Sequence, residues 1–559
     1  MTGRWVSSLL TVSLLLGMGS LSPWVEAQTV LAQARLSERE VRELLEQGVQ
    51  QTGQGQPVQG METFERALEA ARQLQHPELE AWGLLGIGRN YHQIGQRQQA
   101  LESYEQALIL FREINHRLAE AMTLNNIGGV YDALGNRTEA LDYYHQALPI
   151  TREVGDRAGE ATTLNNIGAV YDALGNRTEA LNYYRQALPI LREVGDRSGE
   201  ARTLHNMGAV YNALGNRSEA LNYYRQALPI RREVGDRAGE ATTLNNIGGV
   251  YDALGNRTEA LNYYRQALTM SREVGYRPGE AATLHNIGAV YNALGNRTEA
   301  LNSYRQALPI TREVGDRSGE ATTLNNIGAV YEALGNRTEA LNYYRQALPI
   351  RREVGDRSGE ATTLNNIGAA YHALDNQTEA LNYFNQALPI LRDVGDRSGE
   401  SATLSNIAFV YRDTNQPDKA ITYWEDSLNI LLELRGELQK EFRETFLQTN
   451  RGRSVALVDL LIDQNQPQRA FEWANRVTTY ELADYNRLIG VRVANPEAQA
   501  ALDDWNNQHQ QVQALRQQLQ DDFSEALADQ MRDLEAQVNQ QAETLANSYP
   551  EIAELFEIE

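Results

Sequence analysis

From residue 81 to residue 440 the sequence repeats every 40 residues without an insertion. The phrase LNNIGAVYDALGNRTEALNYYRQALPI, which begins at Leu164, recurs in nearly the same form from Leu124, Leu204, Leu244, Leu284, Leu324 and Leu364. A fixed period restricts a chain severely. One such unit cannot bury an apolar face alone, so the copies must stack on their neighbours. Without the period, a chain of 559 residues would be divided into several globules, because single cores stop growing near ~250–300 residues.

Within block 161–200, Leu164, Ile167, Gly168 and Tyr171 form one stripe at helical spacing. Ala180, Leu181, Tyr184, Ala187 and Leu188 form a second. Gly175 between them is a helix stop that tolerates a left-handed backbone. Asn176 with Glu179 fits an N-cap whose carboxylate reaches back, a variant of the capping box. Val194-Gly195-Asp196 ends the second helix, and Asp196 or Ser198 can cap the next one. Each block therefore reads as an antiparallel helix pair. Gly168 and Ala180 sit where the two helices must approach closely, with Tyr171 and Tyr184 filling the space beside them. A glycine inside a helix costs about 0.5–1 kcal/mol relative to alanine, so its recurrence needs a packing reason.

These residues resemble the tetratricopeptide repeat (TPR) family. The likeness rests on the series Leu164, Ile167, Gly168, Tyr171, Ala180, Tyr184 and Ala187, and on the same signature at Gly128, Tyr131 and Ala140. The period resembles the family's 40-residue branch, known from peptide-binding scaffolds and kinesin light chains. One departure is Pro189, which falls inside the second helix rather than after it. Because the apolar spacing continues through Ile190, Leu191 and Val194, the expectation is a helix kinked there and not ended. The expected fold is all-α: a right-handed TPR solenoid of antiparallel helix pairs with a concave groove, followed by a helical hairpin or coiled-coil segment.

The organisation follows from the same frame. Residues 81–440 hold nine 40-residue units. Residues 41–80 fit a degenerate capping repeat through Leu44, Gly48, Phe64 and Ala67, although Gln51 and Gly60 replace the expected Tyr and Ala. Residues 441–492 contain one more worn helix pair, marked by Leu457, Leu461, Ala470 and Trp473. Residues 493–559 are acidic and Gln-rich, with 14 Asp/Glu against 2 Arg. Trp505, Val512, Leu515 and Leu519, then Leu527, Met531, Leu534, Val538 and Leu545, recur at heptad-like steps over 497–547. This segment reads as a hairpin or a continuous coiled coil, and it offers a surface for self-association.

Residues 1–34 read as an export signal: Arg4, an apolar run from Val6 to Met18, and small-residue cleavage sites ending at Ala27 and Ala34. The apolar run is shorter than the ~20 residues of a membrane span; an uncleaved anchor is the alternative. The expected location is periplasmic or extracellular.

Composition and motif content exclude several chemistries. The chain has no cysteine, hence no disulfide, thiolate site or cysteine nucleophile. A formal charge of −23 argues against a nucleic-acid partner, which needs clustered Lys and Arg. No phosphate-loop, hydrolase or metalloprotease motif occurs, so no catalytic residue, metal or cofactor is assigned. His205 and His285 occupy the same position two blocks apart. Helices pack ~8–10 Å apart, so residues two blocks apart stand ~20 Å or more from each other, too far for one ion to bridge, and both read as surface variants of Asn. The Asn-Arg-Thr sequons at the block turns are already explained as caps.

The first helix of each pair lines the concave face in the resembled family. On it Asn125, Asn165, His205, Asn245, His285, Asn325 and Asn365 form a stripe, with Ser405 at the same position in the last block. An Asn amide both donates and accepts, which suits clamping the backbone of an extended peptide, and the resemblance implies the same use. One turn further lie Asp132, Asp172, Asn212, Asp252, Asn292, Glu332 and His372, where the otherwise similar copies differ most. The expected function is a non-enzymatic protein-interaction scaffold that holds an extended peptide or protein segment in this groove.

A second reading comes from a second resemblance. The order of signal, repeats, a pair containing Ala470-Phe471-Glu472-Trp473-Ala474-Asn475-Arg476, and Gln-rich helices is similar to the N-terminal part of cyanobacterial-type TPR–CHAT proteins. In those a caspase-like protease domain follows. The likeness implies a regulatory arm of a truncated or split protease system.

Overall fold

The structure is a computed structural model that describes residues 36–437, 440–478, 496–521 and 525–549. The expected export signal, residues 1–34, lies outside the described residues, as do 479–495 and 550–559. Among the described residues there are 24 helices and no strand. The chain divides into two compact units, Met1–Val274 and Gly275–Glu559.

In the first unit the helix pairs run from Glu38–Gly53 with Pro57–Gln73 to Arg237–Ala253 with Arg257–Glu273. Each helix packs on its pair partner and on the next block's first helix. Successive first helices also touch one another more closely than successive second helices do, so the first helices lie on the inner side of each stack. The second unit repeats the pattern from Arg277–Ala293 to Pro417–Glu437. It continues with Lys440–Asp463 and Pro467–Thr478, which pack together, and Trp473 Nε1 donates to Glu425 Oε1 at 2.9 Å. Helices Pro496–Asp521 and Glu525–Ser548 pack antiparallel. Trp505 Nε1 donates to the Val538 carbonyl at 3.0 Å, and Gln541 Nε2 reaches Asp504 at 2.9 Å.

The pair Arg157–Ala173 and Arg177–Glu193 shows why the repeat closes. A Cβ built on Gly168 would stand 2.7 Å from Tyr184 Cε1, so the phenol ring lies directly on the glycine backbone. Tyr184 is 1 % exposed and Ile167 fully buried; burying each such side chain is worth about 1.5–3 kcal/mol. Pro189 stands within the second helix, which continues to Glu193. Gly175, at φ +80°, provides the left-handed turn between the helices.

The capping expectation is half met. Asn176 Oδ1 accepts from the Glu179 N–H at 3.4 Å. The Glu179 carboxylate does not return to the Asn176 N–H, because that N–H already donates to the Tyr171 carbonyl at 2.9 Å as part of the preceding turn. The reciprocal box forms instead at Ser37 and Glu40, where the Ser37 N–H donates to Glu40 Oε2 at 2.6 Å. At the other turn Asp196 is the cap, accepting from the Gly199 N–H at 2.8 Å.

Charge joins one repeat to the next. Glu200, 3 % exposed, accepts from Arg192 Nε of the preceding second helix at 2.7 Å and from Arg197 of its own helix. Arg197 also pairs with Glu233 of the following second helix at 2.8 Å. The arrangement recurs at Arg152, Glu160, Arg157 and Glu193, and in the second unit at Arg392, Glu400, Arg397 and Glu433. Each carboxylate thus loses its water only where two guanidinium groups replace it.

Candidate binding face

The inner face of each unit is built from the solvent-facing positions of the first helices. The Asn stripe is on this side, and its amide oxygens are already engaged by the neighbouring repeat. Asn165 is only 4 % exposed, and its Oδ1 accepts from Thr203 Oγ1 of the next repeat at 2.9 Å. Asn125 Oδ1 accepts from Asn166 Nδ2 at 3.3 Å. In the second unit Asn325 accepts from Thr363 and Asn366, and Asn365 from Thr403 and Asn406, at 3.1–3.3 Å. Asn245 is half-buried, as are Asn125, Asn325 and Asn365. The stripe is therefore a ladder of cross-repeat bonds. Its amides face the neighbouring first helix, because successive first helices approach one another on the inside of the stack.

The two histidines are rungs of the same ladder and not surface variants. His205 Nδ1 lies 3.0 Å from Thr243 Oγ1 and its Nε2 3.2 Å from Asn246. His285 sits the same way against Thr323 and Asn326. Burial pushes the His205 imidazole down to about 4, helped by the Arg231 cation and opposed by Asp236. Both rings lie over a tyrosine, Tyr224 and Tyr304 respectively.

One turn on, the variable positions are all half-buried, and most are engaged. Asn212 and Asn292 accept from Arg217 and Arg297. Glu332 accepts from the Tyr344 hydroxyl at 2.7 Å, His372 meets Asp413 at 2.9 Å, and Asp252 has Arg257 at 3.9 Å. Asp132 and Asp172 differ: neither forms an ion pair or side-chain hydrogen bond among the described residues. Burial raises the Asp172 carboxyl above its ordinary range; Arg177, the nearest cation, opposes this without coming within 4.0 Å. A desolvated carboxylate without a cation is a costly group to keep, and this one faces the inner side beside Tyr184.

Sequence reasoning missed a second line of contacts. Tyr171 stacks on Tyr183 with centroids 5.5 Å apart, and Tyr211 on Tyr223 at 5.3 Å. Arg185 Nη2 bonds the Tyr211 hydroxyl of the next repeat at 2.7 Å. The doubled tyrosine of five blocks, as at Tyr183-Tyr184, was the available signal. No group of three or more His, Asp or Glu able to hold a metal occurs among the described residues, and no described helix is long and apolar enough to cross a membrane.

Stacked antiparallel helix pairs with first helices inside define a helical-repeat solenoid. Tetratricopeptide repeat models match residues 119–193, 199–273, 239–313, 279–353 and 319–393, and also 80–110 and 401–437, together more than half of the chain. The chain belongs to the tetratricopeptide repeat family, and its repeats form a protein-interaction scaffold.

Among solved structures it is similar to the apo quorum sensor NprR from B. thuringiensis, at 17% identity over 63% of this chain and 99% of that one, TM-score 0.48. It is similar to a Rap protein complexed with Competence and Sporulation Factor, at 16% identity over 64% and 99%, TM-score 0.45. A putative kinesin light chain from Podosopora anserina with nearly identical TPR-like repeats aligns at 19% identity over 34% and 95%, TM-score 0.30. No curated protein matches the chain.

Proposed function

We propose that the inner face of the first unit binds an extended protein segment through the carboxylates of Asp132 and Asp172, in a protein that is exported and acts by binding rather than catalysis. The observation that carries this reading is the half-buried Asp172 carboxylate, raised by desolvation and lacking an ion pair among the described residues. A cation or a row of backbone N–H donors on a partner relieves that burial. The fixed ladder below it keeps the spacing of successive carboxylates constant, which favours an extended ligand over a compact one.

The test compares the full chain with Asp132→Asn/Asp172→Asn in affinity capture from the source cell's exported fraction, with cross-links mapped by mass spectrometry. The reading expects partner recovery to fall at least fivefold in the variant, with wild-type cross-links at these repeats. Equal recovery from both proteins overturns it. The order of repeats and the Trp473 helix pair favours, as a second reading, a regulatory arm in a CHAT-type protease system. Sequencing the DNA that follows codon 559 for a domain bearing His and Cys distinguishes the two.

A further inference from the structure

At its N-terminal end the polar ladder of the first unit gives way to something else. The positions held by Asn165 and Tyr184 in the third full repeat are Leu85 and Tyr104 two repeats earlier, and Leu45 and Phe64 three repeats earlier. Phe64 lacks the hydroxyl and the leucines lack the amide, so the Asn rung is absent, and the repeats are joined instead by Thr52 Oγ1, which donates to Asn90 Oδ1 at 3.0 Å. In their place is a cavity of about 470 Å³ walled by Leu45, Val49, Phe64, Trp82, Leu85 and Met122, within the size range of ligand pockets, roughly 300–1,000 Å³.

The cavity is kept open by construction. A Cβ on Gly86 would stand 2.5 Å from Phe64 Cε1, so any side chain there would collide with the ring that walls the cavity. The indole of Trp82 is held edge-on by Phe111 at 5.2 Å. Val49 and Met122 are 56% and 42% exposed, so the apolar lining reaches the surface.

Two charges stand at this lining and do not neutralise each other. Arg89 and Glu46 are both exposed, and neither forms an ion pair among the described residues. Glu46 belongs to the capping repeat and Arg89 to the first full repeat, so along the stack the rim runs from anion to cation. Elsewhere in the unit the position of Arg89 carries Val49, Gly129, Ala169, Ala209 or Gly249. Arg89 is its single charge.

We propose that this cavity is the anchor subsite of the groove, and that it takes a bulky apolar side chain of an extended partner segment. That side chain is flanked by a basic residue on the Glu46 side and an acidic residue on the Arg89 side. The inference rests on the groove reading and deepens it. The charges at the rim set the register of the segment, and the cavity supplies apolar burial that the ladder further along cannot offer.

The test uses the full chain labelled with 5-fluorotryptophan, with the Trp82 resonance assigned by Trp82→Phe. The probes are the capped peptide Lys-Gly-Phe-Leu-Gly-Glu, its reversed sequence, the analogue with Gln at both ends, and decanoate. The expected result is that one charged order shifts the Trp82 resonance and that the Gln analogue binds at least tenfold more weakly. Arg89→Gln is expected to bring the charged peptide to the affinity of the Gln analogue. Three results overturn the proposal: neither charged order shifts Trp82, Arg89→Gln leaves the charged peptide's affinity unchanged, or decanoate shifts the resonance while both charged peptides do not. Any of these combined with reduced capture by Asp132→Asn/Asp172→Asn removes the anchor alone, whereas equal capture removes the groove reading itself.

Discussion

The Thr203 hydroxyl donates to Asn165 Oδ1 across 2.9 Å, although the two residues lie 38 positions apart and on different repeats. Both are buried, Asn165 at 4 % exposure and Thr203 completely. Removing the acceptor leaves a desolvated hydroxyl, which costs about 1–3 kcal/mol. Asn165→Ala is therefore expected to loosen the contact between helices Arg157–Ala173 and Arg197–Ala213. Amide hydrogen exchange should rise first in those two helices, because stability in a stack is a sum of neighbour terms. Unchanged protection there would refute a structural role for the amide.

The His205 ring ties stability to acidity. Its folded value of about 4 lies below the ~6.5 of an unfolded histidine, so between those values the unfolded chain binds the extra proton. Stability from the neutral ring is complete above about pH 6.5 and falls as the pH drops towards 4, by roughly 3 kcal/mol at most. His205→Asn replaces the rung with the residue found in most other blocks. Denaturant melts from pH 7 to pH 4 should show a shallower acid slope for the variant, in contrast to a parallel one.

Glu400 titrates in the opposite sense. Burial alone would raise its carboxyl, but hydrogen bonds from Arg392 and Arg397 outweigh it and hold the group below its usual range. Its contribution is present above the ordinary carboxylate range and is lost as the pH falls through the lowered folded value. Both arginines are about half exposed, so solvent screening limits the effect, and Glu400→Gln is expected to cost roughly 1–2 kcal/mol at neutral pH. Thermal melts at pH 7 and in strong acid, where the two proteins should converge, check this.

Asp375 stands where most other blocks place a glycine, with φ +58° against +80° at Gly175. A left-handed backbone costs about 1–2 kcal/mol for a residue with a Cβ, while glycine gives back about 0.5–1 in chain entropy. Asp375→Gly should therefore stabilise by roughly 0.5 kcal/mol, read as a higher denaturation midpoint for the helices on either side. A lower midpoint would mean that the aspartate makes a compensating local bond.

The helix pairs, the turn glycines and the close approach at Gly168 were legible because their causes are local: a 3.6-residue stripe, a left-handed turn and a missing side chain. The two antiparallel helices after Pro496 followed from heptad-like apolar spacing in the same way. The engagement of the Asn stripe was not legible in the sequence. Its face was right, but the sequence does not state how near the next first helix comes, and that distance turned a free amide into a rung. His205 misled for the same reason, since Asn and His both look solvent-facing when only one helix is considered.

What the sequence determined by itself is the repeating unit, because period, apolar spacing and turn residues act within 40 residues. The tertiary structure alone decided which polar groups remain available, because burial and pairing depend on a neighbour 38 to 41 positions away. It engaged Asn165 and His205 in cross-repeat bonds and left Asp132, Asp172 and Arg89 without ion pairs among the described residues.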